Sequence, residues 1–211
     1  MRVSYSLFGE HLVVRSYFSE NSENSTGRFI DVGAFHPFKL SNTMLLSQLG
    51  WRGINIDCDP VKIARFEKLR PHDQNICAAV ADTPHDMVYL EYPRGFTNRI
   101  ANPGEEDRLS GCGEKPLKAT PIRMTTLTDI IEQSAFQGQH FHYLNIDCEG
   151  QDLSVLKGLD FFRYSPHLIT MEAWTKTDQA ELTAFLHCLG YQLTDIVRIT
   201  LFFNKCPASV V

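Results

Sequence analysis

Apolar and polar positions fall into two kinds of block along this chain. Short apolar runs bounded by turn residues read as strands, and apolar residues three and four apart read as helix stripes. Residues 28–33 form the first run, a short buried strand. In residues 41–50, Leu45, Leu46 and Leu49 share a face, Ser41 can cap the helix and Gly50 can end it. "GINID" (53–57) is the next strand. Asp59-Pro60 then sets an N-cap and a first-turn proline before the stripe Ile63, Phe66 and Leu69, which Pro71 stops. Runs at 75–81 and 87–92 read as strands. Residues 93–118 carry no period and read as a loop. A strand at 119–124, a helix at 126–134, a strand at 141–147, a short helix at 151–158 and a strand at 167–172 follow. The helix at 178–189 shows the stripe Leu182, Phe185, Leu186 and Leu189. Strands at 191–197 and 200–204 have only Arg198-Ile199 between them, so they pair as an antiparallel hairpin.

This order predicts an α/β fold: a doubly wound, mostly parallel sheet with helices on both faces and an antiparallel C-terminal hairpin. A length of 211 residues suits one domain, 1–211, with a full core. Such sheets bind ligands beyond the carboxyl ends of their strands.

Composition adds limits. Apolar residues at 43% and charged residues at 21% are those of a soluble globular chain. A net charge of −5 gives no reason to expect nucleic acid or an anionic membrane as partner. Cysteines 58, 77, 112, 148, 188 and 206 form no Cys-x-x-Cys pair, which predicts buried free thiols in a reducing compartment. The first residues lack the apolar stretch of a signal peptide, and no run approaches membrane-spanning length. A cytoplasmic protein is expected.

The candidate chemistry lies in acids at strand ends. Asp31 precedes Gly33 on the first strand. Asp57, Asp82, Asp147 (with Glu149 two residues on) and Glu172 end later ones. Carboxylates gathered at one sheet edge repel, and a site for a cation, a ribose or a proton transfer gives a reason to gather them. The turn "DVGAF" has one glycine where a dinucleotide fold needs G-x-G-x-x-G, which argues against NAD or FAD. A cofactor with ribose and adenine but no phosphate, such as S-adenosylmethionine, tolerates it. Asp57 ends the following strand 24 residues after Gly33, near the spacing of about 20 at which a ribose is gripped.

These blocks resemble the FkbM-type methyltransferases, a branch of the class I S-adenosylmethionine-dependent enzymes. The likeness rests on "YSLFGEHL" (5–12), "FIDVGAFHPFKLSNT" (29–43), "GWRGINIDCDP" (50–60) and "YLNIDCEGQDLSVLKGL" (143–159), with "HLITMEA" (167–173) and "ITLFFNK" (199–205) similar to later strands. It implies a Rossmann-like, seven-stranded sheet with the last strand antiparallel, and methyl transfer, usually to oxygen on sugars and other natural products. It places Asp31, Gly33 and Ala34 in the glycine turn of the cofactor site and Asp57 at the ribose. It sets Ser41, Asn42 and Thr43 close to the cofactor and Asp82 where adenine is read. Leu7 and His11 stand where the family usually has Gln and Asp, and Asn145 where it often has Lys.

The acceptor side is expected at Asp147, Glu149 and Glu172, acting either as a direct base or, for Asp147 and Glu172, as a cradle for Mg²⁺. His36, before Pro37 in a loop, is either a further base or a turn histidine. Trp174 is either a stacking wall for the acceptor or a packed ring. Residues 93–118 are expected to be a flap over a small-molecule acceptor. The competing reading is a methyltransferase-fold protein that binds without catalysing, and the surviving carboxylates favour the enzyme.

Overall fold

A computed structural model describes residues 4–21, 26–93, 95, 98–104 and 113–207. In chain order the elements are α1 (Glu10–Asn21), β1 (Arg28–Val32), α2 (Met44–Gln48), β2 (Arg52–Asp57), α3 (Pro60–Leu69), β3 (Gln74–Cys77), β4 (Ala79–Val80), β5 (Asp86–Glu91), β6 (Arg99–Ala101) and β7 (Lys118–Thr125). Then come α4 (Leu127–Glu132), β8 (Tyr143–Ile146), α5 (Asp152–Lys157), β9 (Leu168–Glu172), α6 (Lys176–Cys188), β10 (Tyr191–Val197) and β11 (Thr200–Lys205). The main sheet has seven strands in the order β10-β11-β9-β8-β1-β2-β3, and a second sheet runs β4-β7-β5-β6. β3, β2, β1, β8 and β9 are parallel, while β11 lies antiparallel to β9 and β10. This is the expected α/β architecture of a class I methyltransferase sheet.

The two faces of the main sheet differ. On one, Ile30, Val32, Ile54, Ile56, Leu144, Ile146, Ile169 and Met171 pack with Ile130, Leu156 and Leu186 from α4, α5 and α6. Apolar burial there supplies the bulk of the fold's driving force. On the other, Phe29, Tyr143, Leu168 and Phe202 pack with Val14, Phe18, Leu46 and Trp51. That face turns polar toward the carboxyl edge, where Asp31, Asn55, Asn145 and Thr170 follow the aromatic layer and are buried.

Several expectations shift. The apolar run 75–81 is not one strand. β2 ends at Asp57, so beyond Cys77 the chain loses its neighbour and takes a new one: Ala79 and Val80 pair with β7. The second sheet therefore starts beyond the carboxyl edge of the first. Residues 93–118 are not all loop, because Arg99–Ala101 pairs with β5 and Lys118 already belongs to β7. The rest of that expected flap lies partly outside the described residues. Helix α1 was not legible as a stripe, although Val14 and Phe18 are its buried contacts. The cysteines are less buried than expected: Cys77, Cys188 and Cys206 are exposed, and Cys58 and Cys148 are half-buried, all as free thiols. Among the described residues, no helix is long and apolar enough to cross a membrane.

The outer strand β10 carries a register shift between Leu193 and Asp195 against β11. Such a bulge bends a strand and increases its twist.

Candidate active site

Because β1, β2, β8 and β9 are parallel, the residues after them meet at one edge. Gly33 has φ +77, and a Cβ built there would lie 1.8 Å from the Asp147 carbonyl oxygen. The glycine is required so that the β1 and β8 tips can touch, and its side-chain space is filled by the chain itself. The N–H groups of Gly33 and Ala34 both donate to the Ile56 carbonyl, at 2.9 and 3.0 Å. Two loops at this edge hold non-glycine residues in the left-handed region, Phe35 (φ 53) and Glu149 (φ 50). Such backbone costs roughly 1–2 kcal/mol per residue, and strain of this kind clusters at ligand sites.

Beneath the edge runs a buried polar network. Asp31, 2% exposed, accepts from the Thr43 hydroxyl (2.6 Å) and from Asn145 Nδ2 (2.8 Å). Thr43 accepts in turn from Arg70 Nη1 (3.0 Å), and Arg70 Nε is paired with Asp73 (2.7 Å). Asn145 Oδ1 accepts from Asn42 Nδ2 (3.0 Å) and from the Thr170 hydroxyl (2.8 Å). Burial pushes the Asp31 carboxyl up, and the bonds from Thr43 and Asn145 hold it back. Asp31 therefore fixes the Asn42–Thr43 turn from below. Ser41 accepts from the Met44 N–H (3.1 Å), so it caps the helix as expected, two residues ahead of Thr43, whose side chain makes no capping bond. Asn42 Oδ1 is buried with no hydrogen-bond partner, an acceptor that an N–H donor on a bound ligand would satisfy.

Asp57, 5% exposed, accepts from Phe35 N–H (3.1 Å) and Asp59 N–H (2.9 Å) and pairs with Lys62 (3.3 Å). A carboxylate offers about four acceptor sites, so one stays open to a hydroxyl. Asp59 caps α3 through Val61 N–H (2.8 Å), which leaves Asp57 free of that duty. Asp82 is exposed beyond β4, and its N–H donates to the Ser154 hydroxyl (3.1 Å). His36 Nδ1 accepts from Phe38 and Lys39 N–H groups (3.1 and 3.2 Å). Burial, with Arg65 and Lys39 nearby, lowers its pKa. The two N–H groups on Nδ1 tie the ring into the turn, the second of the two roles expected for it. His142 Nδ1 accepts from the Arg28 N–H at the opposite edge of the sheet (3.1 Å), a structural role.

Four acids lie at or just after the tips of β8 and β9 and act on one another electrostatically. Burial drives Asp147 well above the usual carboxylate range, and Glu172, Asp152 and Glu149 add to this. Glu172 is raised to about 7 by burial, then by Glu149, Asp152 and Glu10. Burial raises Glu149 as well. Asp152 is raised to about 7, chiefly by burial. The expected trio is therefore together, and Asp152, which the sequence reading passed over, is its fourth member. Its spacing in "DCEGQD" was the available signal. The Mg²⁺ cradle expected at Asp147 and Glu172 gains no support: among the described residues no three His, Cys, Asp or Glu side chains are grouped to hold a metal ion.

The sequence matches the model of the methyltransferase FkbM domain over residues 31–193. Among curated proteins none matches. Solved structures show weak likeness at low identity. A TehB-like SAM-dependent methyltransferase from Corynebacterium glutamicum ATCC 13032 Kitasato is 12% identical with a TM-score of 0.48, over 95% of this chain and 89% of that one. A precorrin-6y C5,15-methyltransferase from Geobacter metallireducens GS-15 is 13% identical with a TM-score of 0.47, over 92% and 85%. A delta-N METTL16 MTase domain is 11% identical with a TM-score of 0.45, over 94% and 82%.

Proposed function

The chain belongs to the FkbM methyltransferase family and is an S-adenosylmethionine-dependent methyltransferase, and on that premise we propose that it methylates a hydroxyl oxygen on a sugar or another small natural product. The observation that carries the reading is Glu172, raised to about 7 at the tip of β9 and interacting with a half-buried Asp147. A hydroxyl must lose its proton as the oxygen attacks, and a positioned base with a pKa near the working pH does this best. When bound, the cofactor supplies an activated methyl group on a sulfonium. Glu172 takes the acceptor proton as the new O–CH₃ bond forms. Asp147, at the tip of β8, hydrogen-bonds the acceptor and holds it in line.

Support for the cofactor's place comes from three groups. Asp57 has one acceptor site left for a ribose hydroxyl, Asn42 Oδ1 awaits a donor, and Asp82 stands exposed past β4 for an adenine amine. Asp31, Gly33, Ala34, Ser41 and Thr43 shape the turn that carries them. Ile100 on β6 packs in a cluster with Cys58 beside Asp57, which supports a place near the cofactor side for Arg99–Ala101. Free thiols at Cys58, Cys77, Cys148, Cys188 and Cys206 support a reducing, cytoplasmic setting.

Calorimetry tests the cofactor assignment. Asp57→Ala removes a charge-assisted hydrogen bond, so S-adenosylmethionine affinity falls about 10–100-fold. A thermal melt run in parallel separates this from a loosened Phe35 turn. Equal affinity in a folded variant refutes the ribose role.

A further inference from the structure

Between α5 and α6, behind the β9 tip, lies a cavity of about 120 Å³. We infer that this cavity binds a protonated amine carried by the acceptor, with Asp152 and Trp174 as its recognition elements, which makes the substrate an amino alcohol or amino sugar. The inference rests on the O-methylation reading above and narrows its substrate.

Four carboxylates line the cavity, Asp152, Glu172, Asp178 and Glu181, and no Lys or Arg does. Acidity alone would decide nothing, but two further observations point to a ligand. Asp152 is 94% buried by its 6% exposure, and while Oδ2 accepts from Gly150 N–H (3.2 Å), Oδ1 has no hydrogen-bond partner. A buried carboxylate oxygen left unpaired is costly, and a donor brought from outside removes that cost. Trp174, 63% exposed, lines the same cavity. An indole face beside carboxylates is what an alkylammonium uses: N–H groups to the acids, charge and methylenes over the ring.

Size and position define the ligand further. At about 120 Å³ the cavity is smaller than the roughly 300–1,000 Å³ of a pocket that encloses a whole small molecule. It therefore takes a substituent of the acceptor. Glu172 lines the cavity and also couples to Asp147 at the reactive edge. An ammonium at Asp152 then places a hydroxyl a few bonds away beside Glu172. A neutral hydroxyl would leave the other acids unbalanced, and a metal lacks a converging third donor among the described residues.

The probe is ethanolamine against ethylene glycol at pH 8, read by Trp174 fluorescence, with Trp51 buried as an internal reference. Ethanolamine shifts the emission saturably and ethylene glycol does not. Asp152→Asn weakens ethanolamine about tenfold or more, and the surface variant Glu181→Gln weakens it two- to threefold. The latter keeps the test open if circular dichroism shows the former misfolded. Trp174→Phe abolishes the signal. Equal response to both probes, or unchanged affinity in a folded Asp152→Asn and in Glu181→Gln, overturns the site. S-adenosylhomocysteine separates the two sources of an ammonium: Asp152→Asn binds it as wild type does. A matching loss assigns the cavity to the cofactor's own amine and overturns the acceptor assignment. Saturable amine binding without methyl transfer to any hydroxyl upholds the site while sinking the O-methylation reading.

Discussion

Replacing Glu172 by Gln lowers methyl-transfer turnover by about 10²–10⁴-fold while cofactor affinity stays near wild type. Glu172 sits at the end of β9, away from Asp57 and Asn42, so its loss touches the acceptor side alone. A carboxylate accepts a proton only when ionised. Burial, then Glu149, Asp152 and Glu10, set its pKa at about 7. Turnover therefore rises as pH climbs through about 7, and the Gln variant loses that limb. Asp147→Asn keeps a hydrogen-bonding group of the same size and shape and costs less. Single-turnover transfer of a labelled methyl across pH reads all three outcomes, and a Glu172→Gln enzyme with wild-type turnover and the same pH profile sinks the assignment. Stability moves the other way. The folded pKa of Glu172, Asp152 and Asp147 is raised, so the native state holds protons that the unfolded chain releases. Stability is present below the unfolded carboxylate range and declines as pH rises from there through about 7. Glu172→Gln flattens that decline.

Gly33→Ala costs about 2–5 kcal/mol of stability and abolishes cofactor binding. Two terms add. A left-handed Ala costs roughly 1–2 kcal/mol. Its Cβ at 1.8 Å from the Asp147 oxygen forces the β1 and β8 tips apart, and overpacking of this kind costs about 1–3 kcal/mol. For a chain of 211 residues this lowers the Tm by roughly 5–15 °C. Gly138 separates the terms, since its φ is +69 yet nothing lies within 4 Å of its Cβ position. Gly138→Ala carries the strain alone and lowers the Tm by only a few degrees. Equal melts for both variants would falsify the contact between the two tips.

What could be read from the chain was whatever is local. Asp59-Pro60 marked the start of α3, and the short Arg198-Ile199 link required the β10–β11 hairpin, because these signals act within a few residues. Strand-end acids were visible for the same reason. What could not be read depends on partners distant in sequence. The run 75–81 looks like one strand until β2 stops at Asp57 and leaves Ala79 and Val80 to pair with β7. The resemblance set Asp31 in the glycine turn of the cofactor site, and only Asn145, 114 residues away, shows its carboxylate engaged within the fold. His36 could have been a base or a turn until two N–H groups were seen on Nδ1. Asp152 reads as a helix-start acid in sequence, and only the packing of α5 beside α6 gives it a cavity. Cysteines in apolar runs were expected inside, yet Cys77 falls on the outermost parallel strand, where one side faces water.

The bulge in β10 bears on how the molecule behaves in a crowd. An outer strand with free N–H and C=O groups is a template on which another chain can add itself. Here the ladder loses its regular spacing at Leu193–Asp195, and Asp195 sets an exposed negative charge at that step. A second copy meeting the strand finds the register broken halfway and like charges facing each other. The same irregularity that looks like a flaw in the sheet thus guards a seven-stranded surface against edge-to-edge aggregation at high concentration.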